Sequence, residues 1–210
     1  MFVEACKAGR VLTGGRGSGK PRTRRGCAKI TMANLSKNIL IAGLPGSGKT
    51  TLIQKLADEL REYGPVGFYT EEIRSHGART GFRLTSLDGQ KTGTLAHVDI
   101  RGPHRVGKYG VDLDGFEQFL GTLLLDPSSR LVIIDEIGKM ECLSAMFRDL
   151  VTSLLVADAP VIATIALKAG GFIGEVKHRG DVHLFEITER NRGTLLPDIT
   201  GLVRSLPASH

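Results

Sequence analysis

The sequence predicts an α/β fold, a mostly parallel sheet with helices on both faces and an inserted antiparallel hairpin. Three observations carry this. From Lys37 onward short apolar runs alternate with amphipathic stretches, the signature of repeated βα units. The runs Ile39–Ala42 and Leu131–Ile134 are continuously apolar, as strands buried on both faces are. Between Gly77 and Asp99 the pattern changes to alternating segments around an Asp88-Gly89 turn, which predicts a hairpin.

The elements follow in order. Ile39-Leu40-Ile41-Ala42, bounded by Gly43, is the first strand. Residues 49–63 place Leu52, Ile53, Leu56 and Leu60 on one side and Lys55, Asp58, Glu59 and Glu62 elsewhere, a helix stopped by Gly64 and Pro65. Val66–Tyr69 is the second strand, and Gly81–Leu84 and Thr94–Val98 are the hairpin arms. Residues 113–125 form a helix ending at Pro127, Leu131–Ile134 is a buried strand, and Met140–Val156 is a helix with Leu143, Phe147, Leu150 and Leu154 in register. Val161–Ile165 and the alternating Val182, Leu184, Glu186 segment are strands, and a last helix follows Asp198.

The 210 residues suffice for one α/β domain with an appendage. The formal charge of +6 is unevenly placed. Residues 1–31 carry eight Lys/Arg against Glu4 alone, a net +7, which leaves −1 for residues 32–210. The basic excess therefore belongs to the tail, and no specific nucleic-acid binding is expected of the domain. The tail has few large apolar side chains and is expected to be a disordered extension. Its composition fits a start placed upstream of the natural Met32, an organelle-targeting peptide, or a polyanion-binding arm. Cys6, Cys27 and Cys142 make neither a disulfide framework nor a zinc spacing. No window approaches the roughly 18 uncharged apolar residues of a membrane helix, so the expected location is cytoplasmic.

Gly43-Leu44-Pro45-Gly46-Ser47-Gly48-Lys49-Thr50 fits G-x-x-x-x-G-K-[ST] between a buried strand and an amphipathic helix, where a P-loop (Walker A) belongs. Its glycines let successive N–H groups turn inward around phosphates, and the helix N-terminus adds partial positive charge. Lys49 would bridge the β- and γ-phosphates and Thr50 would ligate Mg²⁺, with Thr51 supporting the α-phosphate. A near-match at Gly14, Gly19 and Lys20 has Pro21 where the hydroxyl is needed and lacks the strand and helix, so it is read as chance.

A P-loop needs acids at the carboxyl end of a neighbouring strand, and Leu131-Val132-Ile133-Ile134-Asp135-Glu136 supplies them as a Walker B site. Asp135 would hold the metal through water, and Glu136 would polarise the attacking water. A solvated strand end is the plainer reading of two such acids. Thr164 closes another strand at a comparable level, either to sense the γ-phosphate or as a structural threonine. Cations for the developing charge are sought among Arg105, Lys108, Lys139, Arg190, Arg192, Arg74, Arg79 and Arg83, each equally readable as a surface charge.

Beyond these readings, Gly43–Thr51, Gly67–Arg74, Thr80–Phe82, Arg105–Tyr109, Asp135–Glu141, Glu189–Arg192 and Leu196–Ile199 together resemble the THEP-type nucleoside-triphosphatases, a group that includes the cancer-related nucleoside-triphosphatase. Asp135-Glu136-Ile137-Gly138-Lys139-Met140-Glu141 is the most specific element. The resemblance implies a RecA-like P-loop NTPase fold and Mg²⁺-dependent hydrolysis of ATP, GTP, CTP, UTP and TTP, with diphosphates cleaved less efficiently. It also implies nucleotide contacts at Gly43–Thr50 and along Leu131, Val132, Ile133, Ile134, Asp135, Glu136, Ile137 and Gly138, of which only the acidic end is expected to reach the phosphates. The short Gly102-Pro103-His104 stretch departs from the family pattern. Two other functions share this phosphate chemistry: a P-loop kinase acting on a small acceptor, and a regulatory nucleotide switch, for which Glu136 would be superfluous.

Overall fold

The computed structural model describes residues 36–206 except 124, 126–130 and 169. The tail of residues 1–31 and the helix stop at Pro127 lie outside the described residues. Strands β1 (Asn38–Gly43), β2 (Val66–Ser75), β3 (Ala78–Ser86), β4 (Thr92–His97), β5 (Arg105–Val106), β6 (Tyr109–Val111), β7 (Val132–Ile137), β8 (Val161–Ala166) and β9 (Val182–Ile187) share one sheet, in the order β5-β6-β4-β3-β2-β7-β8-β1-β9. Helices α1 (Lys49–Glu59), α2 (Leu113–Thr122), α3 (Ala145–Val156), α4 (Phe172–Lys177) and α5 (Leu195–Ser205) cover its two faces.

Strand alternation assigns the faces. Ile39 and Ile41 of β1 pack with Leu52, Ile53 and Leu56 of α1 and with Ile199 and Val203 of α5. Leu40 and Ala42 join the opposite core, with Phe116 of α2, Phe147 and Leu154 of α3 and Ile173 of α4. Phe68 of β2 is fully buried there, edge-on to Phe116, Phe119 and Phe147. Each continuously apolar run thus feeds two cores at once, which is why it shows no period of two.

The sheet is mixed rather than mostly parallel. β2, β7, β8, β1 and β9 run parallel, while β3, β4, β6 and β5 continue the sheet antiparallel. The difference arises in β2. Val66–Phe68 pairs with β7, but the strand runs on to Ser75 and pairs over that length with β3. Its outer half, Thr70-Glu71-Glu72-Ile73-Arg74, is too polar to read as a strand in sequence. The chain reverses at His76 and Gly77, both in the left-handed region with φ of 49° and 79°. β3 and β4 are the expected hairpin, and β5 and β6 add a second one that the sequence does not announce.

Helix limits also shift. The first helix stops at Glu59, with Arg61–Tyr63 as a 3₁₀ turn, and α3 starts at Ala145 after another 3₁₀ turn at Glu141–Leu143. Leu143 is consequently exposed, and α3 buries Phe147, Val151, Leu154 and Leu155. In β9 Leu184 is exposed and Ile187 is the buried residue, while α5 begins before Asp198. Among the described residues no helix is long and apolar enough to cross a membrane.

Candidate functional site

β1 ends at Gly43, against which β9 packs so closely that a Cβ would stand 2.5 Å from Ile187 Cγ2 and 2.9 Å from Ile187 O. The chain then turns through Gly46 and Gly48, whose φ values of 78° and 96° disfavour any side chain, and enters α1. The N-terminus of α1 has no side-chain cap and no acid in its first turn. By contrast, Asp112 caps α2 and Ser144 caps α3. The partial positive charge and free N–H groups of α1 are therefore left for something outside the chain. They face a cavity of about 990 Å³ lined by Gly43, Leu44, Pro45, Gly46, Gly48, Lys49, Thr50 and Thr51 on this side. Ser47 turns inward instead, and its buried Oγ takes no partner among the described residues.

The acids stand across the cavity at the carboxyl end of β7. Ile134 pairs with Ala163 and Ile137 with Ile165, so a bulge at Asp135 and Glu136 interrupts the β7–β8 register. Such a bulge breaks strict alternation and re-aims side chains at the end of a strand. Asp135 is 2% exposed; its two carboxylate oxygens accept from Thr50 Oγ1 at 2.6 Å and Thr164 Oγ1 at 2.5 Å. Its backbone oxygen accepts from Thr70 Oγ1 at 2.6 Å. Burial pushes the Asp135 carboxyl above the ordinary range, and the threonine hydroxyls oppose this. Thr164 thus spends its hydroxyl on Asp135.

Lys49 Nζ donates to Gly43 O at 3.1 Å and Leu44 O at 3.4 Å, and lies 3.5 Å from Glu136 Oε2. Burial pushes the Glu136 carboxyl up, and the Lys49 charge pulls it back down. Lys49 therefore bridges the loop and the acidic end of β7. Of the segment 131–138, only Asp135, Glu136 and Gly138 line the cavity. Leu131, Val132, Ile133, Ile134 and Ile137 are buried in the two cores, because a central strand sends its apolar side chains to both covered faces. They support the site without lining it.

Thr50 Oγ1 and Asp135 Oδ2 are hard oxygen donors in contact with each other, which fits Mg²⁺. The described residues hold no cluster of three His, Cys, Asp or Glu that would enclose a metal. An ion here would complete its shell from phosphate and water, as Mg²⁺ characteristically does.

Of the eight cations singled out in sequence, Arg79 and Lys139 line the cavity, joined by Lys168 after β8. Arg105 donates to Lys108 O on the β5–β6 hairpin, and Arg74 pairs with Glu72. Arg190 and Arg192 follow β9 and do not line the cavity. Sequence reasoning missed Thr70, Phe82, Leu95 and Val106, which line the far wall of the cavity. Two signals were present, the threonine heading the polar half of β2 and the alternation in β3 and β4.

Glu141, also on the cavity wall, is 6% exposed and its carboxyl is pushed up to about 8 by burial. A folded state that holds this proton more tightly than the unfolded chain loses stability as pH rises from about 4.5 towards 8, with little change on either side. Glu141→Gln removes the titration. Its melting temperature relative to wild type should therefore rise between about pH 5 and 8 and level off above that, as measured by thermal denaturation at fixed ionic strength. Parallel curves for the two proteins would show that Glu141 does not carry this proton.

Residues 38–200 match the model of a family described as NTPase. The chain is 46% identical over 169 residues to "Nucleoside-triphosphatase THEP1" of Thermotoga sp. (strain RQ2), covering 79% of this chain and 95% of that protein. It is 40% identical over 188 residues to the "Cancer-related nucleoside-triphosphatase" of Homo sapiens, covering 81% and 98%. The crystal structure of THEP1 from the hyperthermophile Aquifex aeolicus superposes with a TM-score of 0.72 at 36% identity, over 79% of this chain and 98% of that one.

Proposed function

This chain belongs to the NTPase family, and from that premise we propose that it is a Mg²⁺-dependent nucleoside-triphosphatase taking ATP, GTP, CTP, UTP and TTP, with diphosphates cleaved less efficiently. One observation carries the reading: Lys49, Asp135 and Glu136 converge on the uncapped N-terminus of α1 within a single cavity.

The open N–H groups of α1 and the loop from Gly43 to Gly48 receive the phosphate chain. Lys49 leaves its ion pair with Glu136 for the β- and γ-phosphate oxygens, which frees the carboxylate. Glu136 then orients a water for in-line attack and takes its proton. Burial has already raised the basicity of this carboxyl. Thr50 and Asp135 would hold Mg²⁺, which would supply positive charge to the phosphate group. Thr164 and Thr70 fix Asp135 at its carboxylate and its backbone respectively.

The test is to supply each triphosphate with Mg²⁺ and no acceptor, and to follow free phosphate. Steady release is expected for every base, abolished by chelating the metal, because the residues identified address phosphates and metal rather than bases. A hundred-fold preference in kcat/KM for one base, about 2.7 kcal/mol, would reveal a base-reading pocket. Release that requires added cell extract would point instead to a kinase.

A further inference from the structure

Hydrolysis places charge on the γ-phosphoryl oxygens that Lys49 alone does not fully offset, and a second cation is worth orders of magnitude in such reactions. Lys139, Lys168 and Arg79 are the remaining cations on the cavity wall. Lys139 and Lys168 are exposed and stand on loops that follow β7 and β8. Arg79 is built in.

Its Nη1 donates to Glu72 Oε1 at 2.7 Å, its Nε to Tyr109 Oη at 3.0 Å, and its guanidinium lies over the Phe82 ring at 5.1 Å from the centroid. Nη2 takes no partner among the described residues. One of these supports, β2, also reaches the acids. Thr70 of β2 is bonded to the backbone of Asp135, and Glu72, two residues further and on the same face, holds Arg79 while pairing across the ladder with Phe82. The acids and the arginine are thereby tied to one rigid element, on the side of Asp135 and Glu136 away from β1 and the P-loop.

We propose that Arg79, carried on the antiparallel extension, is the cation that meets the γ-phosphoryl group as it transfers, an assignment that rests on the hydrolytic reading above. In that step the water oxygen bonds to the γ-phosphorus and its proton goes to Glu136. The bond from the γ-phosphorus to the bridging oxygen breaks, and its electron pair leaves on the diphosphate. The guanidinium fork meets the γ oxygens, where a planar, permanently charged group serves better than an ammonium.

The full chain is compared with Arg79→Ala and Arg79→Lys in three measurements: phosphate release from MgATP, binding of a non-hydrolysable triphosphate, and capture of ADP with aluminium fluoride, a mimic of the transferring group. Arg79→Ala should lower kcat by at least about 10²-fold, keep triphosphate affinity within about threefold, and lose the aluminium fluoride complex. Millimolar guanidinium should restore part of the rate. Arg79→Lys keeps the charge and tests the fork if the alanine variant fails to fold; its kcat should fall by at least about tenfold. If Arg79→Ala and Arg79→Lys turn over like wild type, the assignment is wrong. If melting temperature and triphosphate affinity fall together with kcat and guanidinium restores nothing, Arg79 only ties the extension. If wild type itself releases no phosphate from any triphosphate, the hydrolytic reading fails and this assignment with it.

Discussion

Glu136→Gln should bind nucleoside triphosphate nearly as tightly as wild type and hydrolyse it roughly 10²- to 10⁴-fold more slowly, a loss of about 3 to 5 kcal/mol of transition-state stabilisation. Glutamine keeps the shape and can still bond to Lys49, 3.5 Å away in the native protein, so the cavity should be undisturbed. What it loses is the carboxylate that, on the proposed mechanism, accepts the proton of the attacking water. Binding of a fluorescent triphosphate and release of phosphate, measured separately, report the two effects. Turnover near the wild-type rate would move the base elsewhere. Glu71 and Glu72, which also line the cavity, would be the next to test. Equal loss of binding and turnover would make Glu136 a metal or structural residue.

Asp135→Ala should fail differently, losing affinity and turnover together. Removing the carboxylate would, on the proposed mechanism, take away a protein ligand of the metal, and it also strands the hydroxyls of Thr50 and Thr164, the latter fully buried. An unsatisfied buried hydroxyl costs about 1–3 kcal/mol, so the variant should also melt earlier. Triphosphate affinity should fall at least about 10²-fold in Mg²⁺ and kcat/KM at least about 10³-fold. Titration calorimetry with and without chelator separates the causes. With the metal removed, the affinities of wild type and variant should converge, because the difference between them is the metal's contribution. A gap that survives chelation would mean that Asp135 serves the fold and not the ion.

Much of the site is written along the chain because its parts are local. The first strand, the glycines after it, Lys49 and Thr50 are contiguous, and α1 follows directly. Asp135 and Glu136 were legible for the same reason, as polar residues closing an apolar run. Residues acting across the sheet were not. Thr70 lies 65 residues from Asp135 and Thr50 lies 85 residues from it, and their hydrogen bonds depend on strands meeting in register. Arg79 was one of eight equivalent cations until the structure set it over Phe82 and beside Glu72.

Hydrophobic periodicity and the spacing of glycine, lysine and acids, being properties of neighbours, determined by themselves the α/β class, the glycine loop between β1 and α1 and the acidic strand end. Only the tertiary structure decided that half of β2 leaves the parallel sheet to found an antiparallel wall, and which cation that wall brings to the cavity. Such choices depend on contacts between residues distant in sequence, and loop closure and sheet register, rather than local propensity, select among them.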